Sequence, residues 1–581
     1  MVFQDFDHLS ERRKAERQQK LRKRITIGAI SGLVLLVLIA AGAFAVVHIS
    51  SKNGTGPVDQ PTKQVSRAQQ AIRMICSPTD YKKACESSLS EVVNSNSSLS
   101  QPKDLIKAAI SAVGDEIQKA FNSTSQFKFD TPEEKAAFED CKELKQDAIE
   151  ELEDSVSNVG ASRTHDLNNW LSAVMSYQQT CIDGFPEGEI KSRMEKALKP
   201  AKELTSNSLA IVSELASILS TFQIPGVSRR LLAKESNSPS LDKDGFPNWM
   251  THEDRRMLKV DKTKLKPNVV VAKDGSGNFT RISDALAAMP QKHEGRYVIY
   301  VKEGVYEETV IVTKKMVNVT IYGDGSQKTI VTGSKNFVDG VRTFQTATFA
   351  ALGEGFMATA IGFRNTAGPE KHQAVAIRVQ SDRSIFLNCR FEGYQDTLYP
   401  QTHRQFYRSC VIAGTVDFIF GDAAAIFQNC LIVVRKPLDN QQNIVTAQGR
   451  IDKHEATGTV LHNCRILPDK KLEPAKSKIK SYLGRPWKEY SRTIVMESTI
   501  GDVIHPDGWL PWEGDFALKT LSYAEFNNTG PGAALNARVK WPGYKIIRNK
   551  QEALNYTVGP FLQGDWIRAA DVPVHFGLYH G

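Results

Sequence analysis

Residues 384–434 read SIFLNCRFEGYQDTLYPQTHRQFYRSCVIAGTVDFIFGDAAAIFQNCLIVV. In this stretch, short runs of β-branched and aromatic residues alternate with turn residues, and a unit that ends in cysteine recurs. Cys389, Cys410 and Cys430 follow one another at nearly equal intervals, and Cys464 follows after a longer one. Similar residues at one regular interval predict the stacked coils of a β solenoid rather than a sandwich, with one longer loop.

Two acidic residues recur at the same interval. Asp396 lies in GYQDTLY, residues 393–399, and Asp417 lies in VDFIFGD, residues 416–422. One turn of a coil would place the two carboxylates on neighbouring rungs, roughly 5 Å apart. Such a pair can do chemistry, because one carboxylate can attack a carbonyl while the other, kept protonated by its neighbour's charge, donates a proton.

The same stacking would place Cys410 beside Cys430, close enough for a disulfide. Buried free thiols are the alternative, and we expect that state for Cys389 and Cys464.

Composition divides the chain into parts. From residue 263 to 581 many short strands predict an all-β domain. In residues 65–222, apolar residues recur at intervals of three and four positions, which predicts a helical bundle. Its four cysteines suggest the disulfides Cys76–Cys85 and Cys141–Cys181, although spacing alone does not fix the pairing.

Residues 223–262 form a linker between these parts, rich in Pro, Gly and Ser. It contains two Arg-Arg-X-Leu units, which we interpret as processing sites for a subtilisin-like protease, although chance Arg-Arg pairs are the alternative. The residues concerned are Arg229, Arg230, Leu231 and Leu232 in the first unit, and Arg255 and Arg256 in the second.

Near the N-terminus, residues 25–47 form an apolar run without a charge that is long enough to cross a bilayer. The basic tail at residues 1–24 predicts a cytosolic N-terminus and a type II membrane precursor, with residues 48–64 as a linker; a cleaved signal peptide is the alternative. Either route leads through the secretory pathway, with sequons at Asn53, Asn96, Asn122, Asn278, Asn318, Asn527 and Asn555.

The charge balance also differs between the parts. Acidic residues are in excess over residues 61–230 and basic residues over residues 231–581. In a secreted protein the basic part suggests a polyanionic polysaccharide as partner rather than nucleic acid, although it is compatible with a merely soluble surface. The acidic middle part could dock on the basic part.

Several motifs in the second half carry a family resemblance. KPNVVVAKDGSGNFTRISDAL, GVYEE, QAVAIR, GYQDTLY, VDFIFG and LGRPWKEYSRT together resemble plant pectin methylesterases, and the helical region with its four cysteines resembles their inhibitor family. The resemblance implies a right-handed parallel β-helix after an up-and-down bundle. It also implies removal of methyl groups from methyl-esterified homogalacturonan in the cell wall. The sequence contains no HExxH motif, no paired short His spacing and no calcium-loop pattern, so we expect neither metal nor cofactor. The inhibitor-like part, acting on its own chain or separately, would restrain the enzyme until cleavage.

The resemblance also implies roles for single residues. Asp417 would attack the ester carbonyl, Asp396 would protonate the leaving methanol, and Arg485 would orient Asp417. Gln373 and Gln395 would donate hydrogen bonds to the oxyanion. The β region contains no GxSxG motif, which disfavours a serine esterase. Thr343 matches a substrate-contact position of the family, and we expect Gln373 and Arg485 to contact the substrate as well. Aromatic residues suited to stacking on sugar faces are Phe344, Tyr399, Phe420, Trp487, Trp509 and Trp512, with core packing as the alternative for Phe344 and Phe420.

Other functions stay open on the residues alone. A calcium-dependent lyase or a glycoside hydrolase could also act on pectin from a solenoid, but neither requires the glutamine pair. An inactive pectin-binding or inhibitor protein is the alternative outside enzymes.

Overall fold

The structure, a computed structural model, describes residues 62–95, 101–160, 163–215, 266–570 and 572–579. Within these ranges no helix is long and apolar enough to cross a bilayer. The predicted anchor at residues 25–47 and the tail before it lie outside the described residues, as do both processing units and the sequons at Asn53 and Asn96.

The first part of the described chain is helical, as predicted. Its helices are α1 (Thr62–Ile75), α2 (Lys82–Ser95), α3 (Pro102–Ser123), α4 (Pro132–Asn158), α5 (Thr164–Asp183) and α6 (Glu189–Ser213). A capping box starts α4: the Glu134 N–H donates to the Thr131 hydroxyl, and the Thr131 N–H donates to the Glu134 carboxylate. The helices pack around fully buried side chains such as Ile106 and Leu171, and they form a bundle.

Both disulfides predicted for the bundle are present. Cys76–Cys85 connects the end of α1 to α2, and Cys141–Cys181 connects α4 to α5. Each cross-link restricts the unfolded chain, which typically stabilises the folded state by about 2–4 kcal/mol. The α4–α5 pair is therefore held together covalently as well as by packing.

The second part winds through three parallel sheets in turn. The first sheet contains β1 (Val269–Val271), β2 (Tyr297–Val301), β5 (Val319–Gly323), β8 (Met357–Thr359), β11 (Ser384–Leu387), β14 (Arg404–Arg408), β17 (Ala424–Gln428), β20 (Gly458–His462), β23 (Arg492–Met496), β25 (Ser522–Phe526) and β26 (Tyr544–Ile546). The second contains β3 (Gly304–Glu307), β6 (Thr329–Gly333), β9 (Gly362–Asn365), β12 (Arg390–Glu392), β15 (Val411–Gly414), β18 (Leu431–Val434), β21 (Arg465–Pro468) and β24 (Thr499–Ile500). The third contains β4 (Val310–Val312), β7 (Phe349–Ala351), β10 (Ile377–Val379), β13 (Leu398–Pro400), β16 (Ile419–Gly421), β19 (Asn443–Gln448) and β22 (Ser481–Gly484).

Short helices complete this part. They are α7 (Ile282–Ala287), α8 (Lys550–Leu554), α9 (Val558–Leu562) and α10 (Asp565–Ala569), with 3-10 turns at Thr343–Gln345, Pro369–Lys371, Glu473–Ala475 and Pro531–Ala533; a further 3-10 turn, Thr124–Gln126, follows α3 in the bundle. Helices α8 to α10 lie at the C-terminal end of the chain. Their apolar residues, among them Leu562 and Ile567, cover the outer face of the first sheet at Ile426 and Ile494.

The regular interval in the sequence corresponds to a repeated corner between the first and second sheets. The residue before each recurring cysteine has a left-handed backbone, with φ of 54° at Asn388, 53° at Ser409, 56° at Asn429 and 55° at Asn463. A short polar side chain tolerates this conformation better than a bulky one. Each coil therefore turns at the same place, and similar side chains stack inside.

The cysteines of this stack are free thiols, so the predicted Cys410–Cys430 disulfide is wrong. The Cys410 thiol donates to the Phe386 carbonyl at 3.3 Å, and the Cys430 thiol to the Tyr407 carbonyl at 3.5 Å. Because each sulfur finds a backbone acceptor in the stack and packs as a small apolar group, the pair does not need to bridge. The free thiols expected at Cys389 and Cys464 are confirmed.

The described sequons lie mainly at the surface. Asn122, Asn278, Asn527 and Asn555 are exposed, whereas Asn318 is half-buried before β5. Exposure is what glycosylation requires.

The thiol state can be counted directly. The sequence has eight cysteines, and four of them belong to the two disulfides. Thiol titration of the full-length chain, unfolded in guanidinium without reductant, should therefore give four reactive groups. Prior reduction, as a control, should expose all eight. A count of two reactive thiols would indicate that a third disulfide, such as Cys410–Cys430, is present after all.

Candidate active site on the third sheet

The two predicted carboxylates lie just before neighbouring strands of the third sheet. Leu398 of β13 is paired with Ile419 of β16, and each aspartate precedes its strand residue by two positions, so Asp396 and Asp417 are equivalent on successive coils. The Asp396 N–H donates to the Val416 carbonyl at 3.0 Å. Because paired strands are about 4.8 Å apart, the coil register brings the two side chains together.

Both aspartates have a left-handed backbone, with φ of 62° at Asp396 and 50° at Asp417. For a residue other than glycine this conformation costs about 1–2 kcal/mol. Both side chains are also buried. The stacked coils on either side hold these residues in a conformation that an isolated turn would not favour, which is common where side chains are positioned for function.

Arg485 distinguishes the two carboxylates. It directly follows β22, and its Nε and Nη2 donate to the two carboxylate oxygens of Asp417 at 2.8 and 2.6 Å. This two-pronged contact fixes the plane of the carboxylate. The guanidinium also lies over the ring of Trp512, with 4.2 Å from Cζ to the ring centre, so it is held from both sides.

The electrostatic surroundings separate the acids further. Burial raises the pKa of Asp417, and its hydrogen bonds and charge interaction with Arg485 oppose that rise. The pKa of Asp396 is raised well above its usual range by burial and by the negative charge of Asp417. We therefore expect Asp417 to lose its proton first and Asp396 to keep its proton while Asp417 is charged.

The two glutamines lie on adjacent coils next to the carboxylates. The Ala374 N–H donates to the Gln395 carbonyl at 3.2 Å, which sets the residue after Gln373 beside Gln395. Gln395 directly precedes Asp396, and both glutamine side chains are half-buried. Amide donors in this position can stabilise negative charge on an oxygen without competing for the proton.

An aromatic row crosses the outer face of the third sheet. Tyr399 and Phe420 are stacked with their ring centres 4.3 Å apart, and Phe420 meets Trp487 edge-on at 5.9 Å. Phe344 packs under the guanidinium of Arg378, which is paired with Tyr399 in the strand register. Thr343 is half-buried beside Phe344, in the turn Thr343–Gln345. Tyr399, Phe420 and Trp487 thus form a connected row of rings, which Phe344 joins through Arg378.

Trp509 does not belong to this surface. Its side chain is 1% exposed, its Nε1 donates to Glu525 at 3.3 Å, and its ring packs on Tyr523 inside the β-helix. The expected substrate contact by Trp509 is therefore corrected to a core role. Trp512, 36% exposed and next to Arg485, is the tryptophan of this loop at the site. Two tryptophans three positions apart in an irregular loop carry no periodic signal that would tell them apart.

The helical bundle covers the aromatic row. The described residues from Ala68 onward belong to one compact unit, and Phe344, Tyr399 and Phe420 share an apolar cluster with bundle residues. Acidic side chains of the bundle meet basic ones of the β-helix. Ion pairs of this kind include Asp80–Lys453, Asp140–Arg342, Asp147–Lys314, Glu150–Lys314, Glu151–Lys314, Asp166–Arg404 and Asp183–Lys488.

A buried histidine of the β-helix, His403, adds further contacts to this interface, among them one from its Nε2 to the Glu151 carboxylate at 3.3 Å. His403 accepts or donates hydrogen bonds with Asn169 at 3.1 Å and Tyr177 at 3.3 Å, both on α5. The charge difference between the two parts of the sequence predicts that they could dock. It does not identify Arg342, Lys314 or Lys488 as the cations concerned, because each partner lies far away along the chain.

Stacked parallel coils that present two carboxylates, a bound arginine and two amides define a β-helix enzyme of the paired-carboxylate class. Residues 268–565 match the family model Pectinesterase, and residues 70–211 match Plant invertase/pectin methylesterase inhibitor. The chain belongs to the pectinesterase family, in the form with an N-terminal inhibitor-like region.

Individual relatives agree with this assignment. An Arabidopsis thaliana protein provisionally named pectinesterase/pectinesterase inhibitor 45 is 53% identical over 611 aligned residues that cover both chains completely. The pectinesterase/pectinesterase inhibitor of Ficus pumila var. awkeotsang is 43% identical over 87% of this chain and 91% of its own. The solved pectin methylesterase from carrot is 52% identical with a TM-score of 0.54, and it matches 55% of this chain with 100% of its own.

The raised pKa of Asp396 predicts a pH-dependent effect on stability. The neutral carboxyl is favoured in the folded state, so its stabilising contribution is complete below its unfolded pKa and is lost as the pH rises through the folded pKa. Asp396→Asn should therefore raise the Tm of the full-length chain by a few degrees at pH 8 and change it little at pH 4. Calorimetry at both pH values measures this difference.

Asp417→Asn is the matched control for that experiment. The pKa of Asp417 is also raised, but Arg485 opposes that rise, so Asp417→Asn should raise the Tm at pH 8 less than Asp396→Asn does. Equal shifts in the two variants would contradict the assignment of different charge states to the two aspartates.

Proposed function

We propose that the protein hydrolyses the methyl esters of galacturonate residues in pectin, with Asp417 as nucleophile and Asp396 as proton donor and acceptor. With water as the second reactant, the products are methanol, a carboxylate on the polysaccharide and one proton released to solvent. The pairing of Arg485 with Asp417 carries this assignment, because it makes one of two equivalent carboxylates the charged one.

In the first step, the Asp417 carboxylate attacks the ester carbonyl and its negative charge moves to the carbonyl oxygen. The side-chain amides of Gln373 and Gln395 donate hydrogen bonds to that oxygen. Loss of one such donor typically slows catalysis by about 10²- to 10³-fold. As the intermediate collapses, the C–O bond to methoxide breaks, and the neutral Asp396 carboxyl transfers its proton to the leaving oxygen.

The second step removes the galacturonate acyl group from Asp417. Asp396, now a carboxylate, takes a proton from water, and the hydroxide attacks the acyl carbon. Departure of the Asp417 carboxylate restores both residues to their starting charges. Arg485 holds Asp417 in one orientation through both steps, which limits the reorganisation needed for attack.

The polysaccharide would lie across the aromatic row. Tyr399, Phe420 and Trp487 offer rings to the apolar faces of sugars, and Thr343 and Phe344 extend the same surface. A lyase or a glycoside hydrolase would use the paired acids on a different bond. Family membership and the glutamine pair favour the ester. Methanol release, as opposed to unsaturated products or new reducing ends, separates these reactions.

The inhibitor-like bundle would restrain the enzyme by occupying the aromatic row. In this proposal, cleavage by a subtilisin-like protease at Arg229–Leu232 or at Arg255 and Arg256 separates the two parts. Residues 25–47 would anchor the precursor, and the catalytic part would act in the cell wall. Support comes from the ion pairs and shared apolar cluster between the bundle and the row.

The catalytic assignment predicts unequal losses of activity. Asp417→Ala should reduce kcat for methanol release from methylated pectin by at least about 10³-fold, because no nucleophile remains. Arg485→Lys, which keeps the charge but loses the two-pronged contact, should cost about tenfold or more. An active Asp417→Ala variant would exclude this mechanism.

If the bundle restrains the enzyme by covering the aromatic row, cleavage should increase methanol release more for a large substrate than for a small one. Full-length chain cut by a protease site inserted within residues 223–262, and separated from its bundle, should release methanol from polymeric pectin at least about tenfold faster than uncut chain. Methyl galacturonate monomer should show a smaller difference, because it does not need the covered row. Equal activity of cut and uncut chain on pectin would show that the bundle does not restrain the enzyme.

A further inference from the structure

One contact between the bundle and the β-helix is a complete carboxylate site. Asp140 of α4 is 7% exposed. Three hydrogen-bond donors from the β-helix contact its carboxylate. Nε and Nη2 of Arg342 donate to its Oδ2 at 2.8 and 2.5 Å, and Nε2 of Gln345 donates to its Oδ1 at 2.8 Å. Arg342 and Gln345 therefore satisfy both oxygens of a carboxylate that comes from another domain.

This pocket is close to the active site. Arg342 and Gln345 flank Thr343 and Phe344, at the start of the aromatic row. The turn is tied to the coil of Gln373, because the Val375 N–H donates to the Thr346 hydroxyl at 3.0 Å. The pocket thus belongs to a coil beside the one that provides an oxyanion donor.

We infer that Arg342 and Gln345 form a subsite for the free carboxylate of a de-esterified galacturonate residue, and that Asp140 occupies this subsite in the precursor. The inference rests on the proposed function. A guanidinium and an amide that together donate to both carboxylate oxygens match a planar anion and leave the methyl ester, which has no charge, weakly bound. The subsite therefore favours esters that neighbour an already de-esterified residue.

The other interface cations differ from Arg342 in their position. Lys453 lies in the loop after β19, is 49% exposed and forms an ion pair with Asp80 of the bundle. The turn Thr343–Gln345 precedes a strand of the third sheet, so Lys453 lies at the opposite end of these parallel strands. It provides a charge-matched control, because its removal also takes one cation from the surface that the bundle covers. Arg404 is unsuitable, since Asp382 of the β-helix also binds it.

The experiment uses residues 263–581 without the bundle. This region can be studied alone, because the solved carrot enzyme has the same fold without a bundle. Its whole chain matches 55% of this one. KM and kcat for methanol release are measured on fully esterified and on half-esterified homogalacturonan. Competition by fully de-esterified oligogalacturonate gives an inhibition constant.

Arg342→Gln should raise KM on half-esterified substrate about tenfold, several times more than on fully esterified substrate, with a similar rise in the inhibition constant. Arg342→Lys should lie between wild type and Arg342→Gln, and Gln345→Ala should give a smaller rise of about threefold. Lys453→Gln should keep the wild-type ratio of the two KM values. Circular dichroism verifies that each variant folds.

A shift in KM that is equal on both substrates, or the same for Arg342→Gln and Lys453→Gln, would overturn the subsite and leave the esterase assignment intact. Absence of methanol release by the wild-type region would instead overturn the proposed function. The two failures are therefore distinguishable in one set of measurements.

Discussion

The contact between Arg485 and Asp417 is the interaction on which the account of this molecule depends. Stacking alone makes Asp396 and Asp417 equivalent, since they hold the same position on successive coils. Two adjacent buried carboxylates cannot both be charged at low cost. A guanidinium that binds one of them in a fixed plane makes that one the anion and leaves the proton to the other. A single side chain, from the residue that directly follows a strand two coils away, thus determines which aspartate is the nucleophile and which is the acid.

In the proposed mechanism, the same surface would serve two acidic partners in turn. The β-helix is basic, and its aromatic row lies among cations that acidic residues of the bundle neutralise in the precursor. Pectin that has lost methyl groups is also a polyanion. In this proposal, the bundle imitates the charge of the polysaccharide and occupies the row without altering the catalytic residues. Its removal would expose cations that attract the anionic substrate.

The sequence predicts much of this arrangement, because repetition carries geometric information. The nearly constant interval between the cysteines predicts the stacked coils, and the same interval between Asp396 and Asp417 predicts that they are neighbours. The interval does not reveal whether neighbouring sulfur atoms bond, and Cys410 and Cys430 remain thiols. The interval also does not predict which side chains in an irregular loop are buried: Trp509 lies in the core, whereas Trp512 lies at the site. Contacts between domains, such as Asp140 with Arg342, depend on long-range packing that local pattern does not encode.

The central claim, that the two aspartates carry different charges, can be tested by carbon-13 NMR of the side-chain carboxyl groups over a pH titration. Asp396→Asn and Asp417→Asn spectra assign the two signals. The account predicts that Asp417 loses its proton first and that Asp396 titrates at higher pH. Arg485→Gln should reduce the difference between the two pKa values. Simultaneous loss of both protons at the ordinary pKa of aspartate, or titration of Asp396 before Asp417, would contradict it.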